Sequence, residues 1–391
     1  MRKKLNLCFA TGLLLVSLLQ PTGLLSQTVK GFYVNGFHTI LGDPAREDSV
    51  LRFAKNNGFN YLTLYNLHNV NTQYPLVTGS TSSILANFIY KAKTQFDILE
   101  IGGVSENFEF TRDVIHAYNL LHPNPLERID VYNLEFEWWN SSSVDTGGYY
   151  CQYYLAPNGD TCNITGAWNY YNTMLSGIDS LANSEGLTSE AYLGWFDDPE
   201  AIGLVNTGVD RLFLHIYVPS ATFSQNYQYN YVDDRLRSLG LSNQTVKVFP
   251  LYSSETVYMQ SWVTANDFFT PFTLLENSLL NETGTWKSNI QLEGIQWFTY
   301  SDMPKKNMDL SIPENSLSFS MLQNRENNTL TIQTNNEANS VYTYQLIDLT
   351  GNILLNGSQT NPVIDLDPYA SGAYILYLSS GTFSTNFQFI K

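Results

Sequence analysis

The sequence predicts a (β/α)8 barrel followed by a small antiparallel β-sandwich, an α/β chain in two domains, and three observations carry that expectation. From Val29 to Met303, short β-branched or aromatic runs alternate with longer segments of helical period, the pattern of successive βα units. Eight such units in about 275 residues match the usual size of this barrel. After Pro304 the helical period disappears and short alternating runs take over. An open doubly wound sheet is the alternative, but no glycine-rich phosphate turn follows the first strand to support it.

Taken in order, the chain begins with Arg2, Lys3 and Lys4, an apolar run from Leu5 to Leu19 and a small residue, Ser26. This reads as a signal peptide over residues 1–26. Asn6, Thr11 and Gly12 interrupt the run, which falls short of the about 20 apolar residues of a permanent span. No comparable stretch follows, so no stable membrane span is expected. Barrel strands are expected at Gly31–Phe37, Tyr61–Leu67, Ile98–Val104, Ile129–Trp138, Ala191–Phe196, Arg211–Val218, Lys247–Tyr252 and Gly294–Tyr300. Helices are expected at Ser49–Asn57, Ser82–Thr94, Thr111–Leu121 and Trp168–Ser184. The barrel therefore occupies residues 27–304, with its longest loop, Asn140 to Gly166, after the fourth strand. Residues 305–316 read as a linker and 317–391 as the sandwich, with strands at Thr329–Thr334, Ser340–Asp348, Ile353–Leu355, Ala373–Leu378 and Thr385–Ile390.

Charge and cysteines narrow the function. Lys plus Arg number 20 against 36 Asp plus Glu, and three of the basic residues belong to the signal peptide. A chain this acidic lacks the basic footprint that nucleic acid requires and fits a neutral substrate met outside the cell. With Cys8 inside the signal peptide, Cys151 and Cys162 are the remaining thiols, and export through an oxidising compartment favours a disulfide between them over two free buried cysteines. Five histidines without paired spacing give no metal motif, and no nucleotide loop is present, so no cofactor is expected.

The chemistry concentrates in the fourth strand. Alternation along Ile129–Trp139 puts Leu134, Phe136 and Trp138 on one face and Asn133, Glu135 and Glu137 on the other. In a barrel the apolar face meets the helices and the polar face meets the lumen, where Val, Ile or Leu would avoid the desolvation cost of a carboxylate. Glu135 and Glu137 are two residues apart, about 6–7 Å along the strand, at the end where barrel enzymes place catalytic groups. Carboxyls this close push each other's titration apart, so that one can stay protonated beside a charged neighbour, as glycosidic bond cleavage requires. A structural role, with both glutamates neutralised by arginines across the lumen, is the alternative.

In this strand the chain resembles glycoside hydrolase family 18, the chitinases and endo-β-N-acetylglucosaminidases, whose fourth strand carries D-x-x-D-x-D-x-E. The register is Asp130, Asn133, Glu135 and Glu137, with Asn in place of the second aspartate and Glu in place of the third. Glu100-Ile101-Gly102-Gly103 is similar to the family's S-x-G-G, His215-Ile216-Tyr217 to its M-x-Y, and Trp297, or Phe298 one residue on, to its lumen tryptophan. The resemblance implies Glu137 as general acid and base. It implies Glu135 as the support of the substrate's own attacking 2-acetamido group, Tyr217 as donor to the acetamido oxygen and Trp297 as a floor for the sugar. Asp130, Asn133, Gly102, Gly103, Tyr33 and Trp138 are the further residues expected at the substrate. A hydrolase of another polysaccharide with a glutamate nucleophile, and a non-catalytic glycan-binding barrel, remain as rivals. Tyr149, Tyr150, Tyr153 and Tyr154, beside the cysteine pair, offer a glycan platform, or ordinary loop packing. Asp197, Asp198 and Glu255 are lesser candidates at the same end.

The last fifth of the chain resembles the C-terminal sorting domain of type IX secretion substrates, through Leu349-Thr350-Gly351-Asn352, Ile364-Asp365-Leu366, Ala370 to Leu376 and the terminal Phe389-Ile390-Lys391. It implies the type IX machinery as a partner and a destination at the cell surface or in the medium. A carbohydrate-binding or spacer domain is the alternative.

Overall fold

The computed structural model describes residues 28–307 and 319–391, apart from 325–326, 335–341, 349–351, 360–362 and 381–382. The expected signal peptide, most of the expected linker and the Leu349-Thr350-Gly351 stretch lie outside the described residues. The chain divides into two compact units, residues 1–308 and 309–391.

The first unit is a closed barrel of eight parallel strands: Val29–Val34, Tyr61–Leu64, Glu100–Ser105, Val131–Leu134, Thr188–Leu193, Arg211–Ile216, Val246–Ser253 and Gly294–Phe298. Closure comes from the eighth strand, which pairs with the seventh on one side and the first on the other. Helices Pro44–Asn56, Gly79–Gln95, Ile164–Glu185, Asp198–Asn206, Gln225–Gly240 and Thr270–Asn281, with the helical stretch 108–121, follow the first seven strands. The first helix starts five residues before its expected position because Asp43 caps it, accepting from the Ala45 and Arg46 amides, and Pro44 occupies the first turn.

Strand alternation divides the side chains into two layers. Tyr33, Tyr61, Val104, Val131, Tyr192, Phe213, Phe249 and Leu251 fill the lumen as one cluster. Their strand neighbours, among them Phe32, Leu62, Ile101, Tyr132, Leu212 and Val248, pack under the helices. The fourth strand obeys this rule as expected, with Leu134, Phe136 and Trp138 fully buried in the outer layer.

The second unit is a sandwich of a three-stranded sheet (Phe319–Asn324, Thr329–Thr334, Val363–Asp365) and a four-stranded sheet (Ile353–Gln359, Tyr342–Asp348, Ala373–Ser380, Phe383–Ile390). Leu330, Ile332 and Ile364 from one sheet meet Leu346, Leu376 and Phe389 from the other in a common core. Two of these strands are unexpected from sequence. Val363–Asp365 is only three residues long and buries Ile364 alone, too little for alternation to register.

Candidate active site

The barrel floor carries a neutralised ionic network. Arg211, at the start of the sixth strand, grips Glu100 with two bonds of 2.6 and 2.7 Å and reaches Glu190 at 3.1 Å. Glu190 is fully buried, and its other oxygen accepts from the Tyr61 hydroxyl at 2.5 Å and from the Asn133 amide at 3.3 Å. Burial raises the Glu190 carboxyl to about 7 even though Arg211 and Tyr61 pull it down. The same carboxylates hold the Arg211 guanidinium protonated against the opposing effect of burial.

One turn of side chains higher, at the C-terminal mouth, the environment changes. Strand pairing continues one residue past Leu134, since the Glu135 amide donates to the Ser105 carbonyl, and this fixes Glu135 over the lumen. Its Oε2 is sealed from solvent without a hydrogen-bond partner. Burial, then the charges of Glu137 and Glu106, raise its carboxyl to about 8, so it is largely protonated at neutral pH. Glu137 accepts from Asn140 Nδ2 at 3.2 Å and from the Tyr192 hydroxyl at 3.4 Å. Among the described residues, neither glutamate forms an ion pair, in contrast to the floor.

Tyrosines close around this pair. Tyr33 lies below it, its hydroxyl buried and unpartnered. Glu135 heads the causes that raise the Tyr65 hydroxyl, and it is the leading charge, after burial, that raises Tyr33 and Tyr217. Phe298 packs against Tyr33, Tyr65 and Tyr217 at 5.6 to 6.3 Å between ring centres. On one side of the mouth Glu106 accepts from the hydroxyls of Tyr149 (3.0 Å) and Tyr154 (2.7 Å), forming the wall of a cleft of about 230 Å³ that Tyr65 and His68 also line. The Cys151–Cys162 disulfide is formed and closes the loop carrying these tyrosines. Tyr150 turns inward and stacks on Phe136 at 4.1 Å, whereas Tyr149 and Tyr153 remain exposed. On the other side His215, which burial and then Arg235 lower to about 3 and so keep neutral, shares a 3.3 Å hydrogen bond with Tyr192.

The structure brings Glu135, Glu137, Asn133, Tyr33, Tyr217 and Gly102 to the lumen. A side chain on Gly102 would strike the Tyr61 hydroxyl, so this glycine leaves room for the floor network. Four residues expected at the substrate lie on the opposite face of their strands. Trp297 packs on Tyr252 and donates its indole N–H to the Phe268 carbonyl, so Phe298 takes the lumen position. Trp138 packs among Trp168 and Tyr171 and bonds Glu200. Gly103 faces Leu67 and Ile129 in the outer layer. Asp130 is out of phase with Val131 and Asn133; it pairs with Lys93 at 2.8 Å and accepts from the Ile101 amide. Asp197 caps the helix Asp198–Asn206, Asp198 accepts from Ser238, and Glu255 accepts from Ser253.

Sequence reasoning passed over Tyr65, Glu106, Tyr192 and Trp139, which packs on Tyr192 at 5.7 Å, at the mouth, and Glu190 and Arg211 at the floor. The fourth-strand alternation argument, applied to strands two, three, five and six, would have found Tyr65, Glu106, Tyr192, Glu190 and Arg211. No group of three or more His, Cys, Asp or Glu placed to hold a metal ion occurs among the described residues.

The secretion system C-terminal sorting domain matches residues 324–391. The second unit contains that domain, and the protein is secreted or held at the cell surface. Among the described residues no helix is long and apolar enough to cross a membrane. No curated protein sequence matches the chain. Among solved structures, a Faecalibacterium prausnitzii β-glucuronidase overlaps 70% of this chain and 42% of its own length, at 7% identity and a TM-score of 0.39. The catalytic domain of a Bacillus endo-β-1,4-mannanase overlaps 69% of this chain and 76% of its own, at 11% and 0.39. A xylanase-α-amylase inhibitor protein crystallised with trehalose overlaps 70% and 93%, at 12% and 0.39. This chain thus spans well under half of the glucuronidase, and overlap this distant bears on neither reaction nor substrate.

Proposed function

We propose that the protein is a secreted glycoside hydrolase of the family 18 kind, cleaving a glycan that contains β-linked N-acetylglucosamine. The observation that carries this reading is the carboxyl pair Glu135 and Glu137 at the barrel mouth, without a cationic partner, with Glu135 raised to about 8. A carboxyl that keeps its proton at neutral pH beside a second carboxyl supplies the groups an acid and base cycle needs. The catalytic unit is residues 27–304, the segment 305–316 is a linker, and residues 317–391 carry the sorting function.

In the free enzyme Glu135 carries a proton. A 2-acetamido N–H arriving over Glu135 needs an acceptor there, which drives the proton to Glu137. Glu137 then protonates the leaving oxygen and afterwards activates water, while the acetamido oxygen attacks the anomeric carbon from within the substrate; this route departs from the two-carboxylate scheme. Tyr217 donates to that oxygen, and Phe298, in the lumen position expected of Trp297, lies under the sugar. Asn133 holds the floor network below. No cofactor enters any step.

The test compares matched substrates bearing a 2-acetamido or a 2-hydroxyl group. Turnover of the first alone, with competitive inhibition by a thiazoline mimic of the cyclic intermediate, is the expected result. A covalent adduct from a 2-fluoro sugar on Glu135 or Glu137 would replace this mechanism with direct displacement. Binding of these glycans without turnover would leave a non-catalytic barrel.

A further inference from the structure

Trp195 follows the fifth strand, two residues beyond Leu193, and the residue is 49% exposed. It is nonetheless firmly held. The Arg235 guanidinium covers one ring face at 4.6 Å, with Tyr231 at 5.4 Å and His215 edge-on at 5.5 Å. Arg235 is itself buried and donates to the carbonyls of Gly194, His215 and Tyr231, so the support beneath the indole is rigid. A half-exposed indole braced from one side presents its other face to solvent in a fixed orientation. Such a face has an apolar body with little conformational entropy left to lose on binding.

Its position links it to the carboxyl pair. His215 touches Trp195, shares a hydrogen bond with Tyr192, and Tyr192 donates to Glu137. On the far side of the pair, after the third strand, Glu106 anchors Tyr149, a residue also 49% exposed. Glu135 and Glu137, after the fourth strand, therefore lie between an exposed tyrosine on one flank and an exposed tryptophan on the other. The chain carries a formal net charge of −16, and Arg235, the cation against Trp195, is buried and donates to carbonyls. That combination selects a flat, neutral ligand with an apolar face, which is the C–H face of a pyranose ring.

We propose that Trp195 is a sugar-stacking platform and that it and Tyr149 form the two ends of a cleft that holds an internal stretch of a neutral polysaccharide across Glu135 and Glu137. Sugar units on both sides of the reacting bond make the enzyme endo-acting. The proposal rests on the glycosidase reading but not on N-acetylglucosamine as the sugar.

The test uses the full-length chain carrying Glu137→Gln, so that ligand is bound and not consumed. It is titrated calorimetrically with β-1,4-linked N-acetylglucosamine oligomers of two to six units, and with cellohexaose, xylohexaose and mannohexaose. Affinity should rise with length, and adding Trp195→Ala should weaken hexamer binding about tenfold or more, as truncating a central aromatic anchor does. Trp195→Tyr should restore most of the loss. Hexamer binding unchanged by Trp195→Ala overturns the platform, and release of single terminal sugars from the hexamer by the unmutated chain overturns endo action. Trp195-dependent binding of another hexamer alone keeps the platform and overturns N-acetylglucosamine as substrate. Absence of binding to every hexamer overturns the platform and the substrate reading together.

Discussion

At the floor of the barrel Glu100 and Glu190 meet Arg211, Tyr61 and Asn133, whereas at the mouth Glu137 accepts from a hydroxyl and an amide and, among the described residues, neither it nor Glu135 has a cationic partner. Both groups sit on lumen positions of neighbouring strands and both experience burial. The floor offsets its desolvation cost with a guanidinium held by two carboxylates. The mouth leaves one carboxyl oxygen without a partner and retains a proton instead. A buried ionisable group left uncompensated is a candidate for ligand contact, whereas compensated pairs also serve structure.

The largest test of this contrast is at the mouth. Glu137→Gln preserves shape but removes proton transfer, so turnover should fall by roughly 10² to 10⁴ with little change in melting temperature. Wild-type turnover in that variant would falsify the assignment of Glu137. The floor should answer in the opposite way. Arg211→Met leaves Glu190 buried without its cation and should cost about 3–5 kcal/mol of folding stability, read by urea denaturation. A variant as stable as the parent would mean the floor network is not the structural counterpart described above.

The smallest effect lies in the pH dependence of stability. Glu135 has a folded value of about 8 against an ordinary 4.5, so between these the folded state holds more protons than the unfolded chain. Its contribution is full below about 4.5 and is lost as pH rises through about 8. Glu135→Gln should therefore flatten the decline of stability across that window and be relatively more stable than the parent at its alkaline end. An unchanged slope would show that Glu135 is not the group retaining the proton.

Much of this was legible in the residues themselves. The repeat of βα units needs only local period, and the facing of Glu135 and Glu137 needs only strand alternation, which is a property of the backbone. The cysteine pair followed from export alone, and the disulfide is present. The sorting domain was readable because its motifs are local in sequence.

Other features depended on closure of the barrel. Which of Trp297 and Phe298 faces the lumen is a matter of phase in the eighth strand, and that phase is set by pairing with the first and seventh strands, distant in sequence. Asp130 fits the motif spacing, yet its strand phase commits it to Lys93. Arg211 meets Glu100, and Tyr154 meets Glu106, across 111 and 48 residues. Period and alternation act over a few residues and belong to the sequence. Charge compensation acts across the lumen, between strands whose register exists only once the sheet has closed, and so the tertiary structure alone decided which carboxylates meet a cation and which do not.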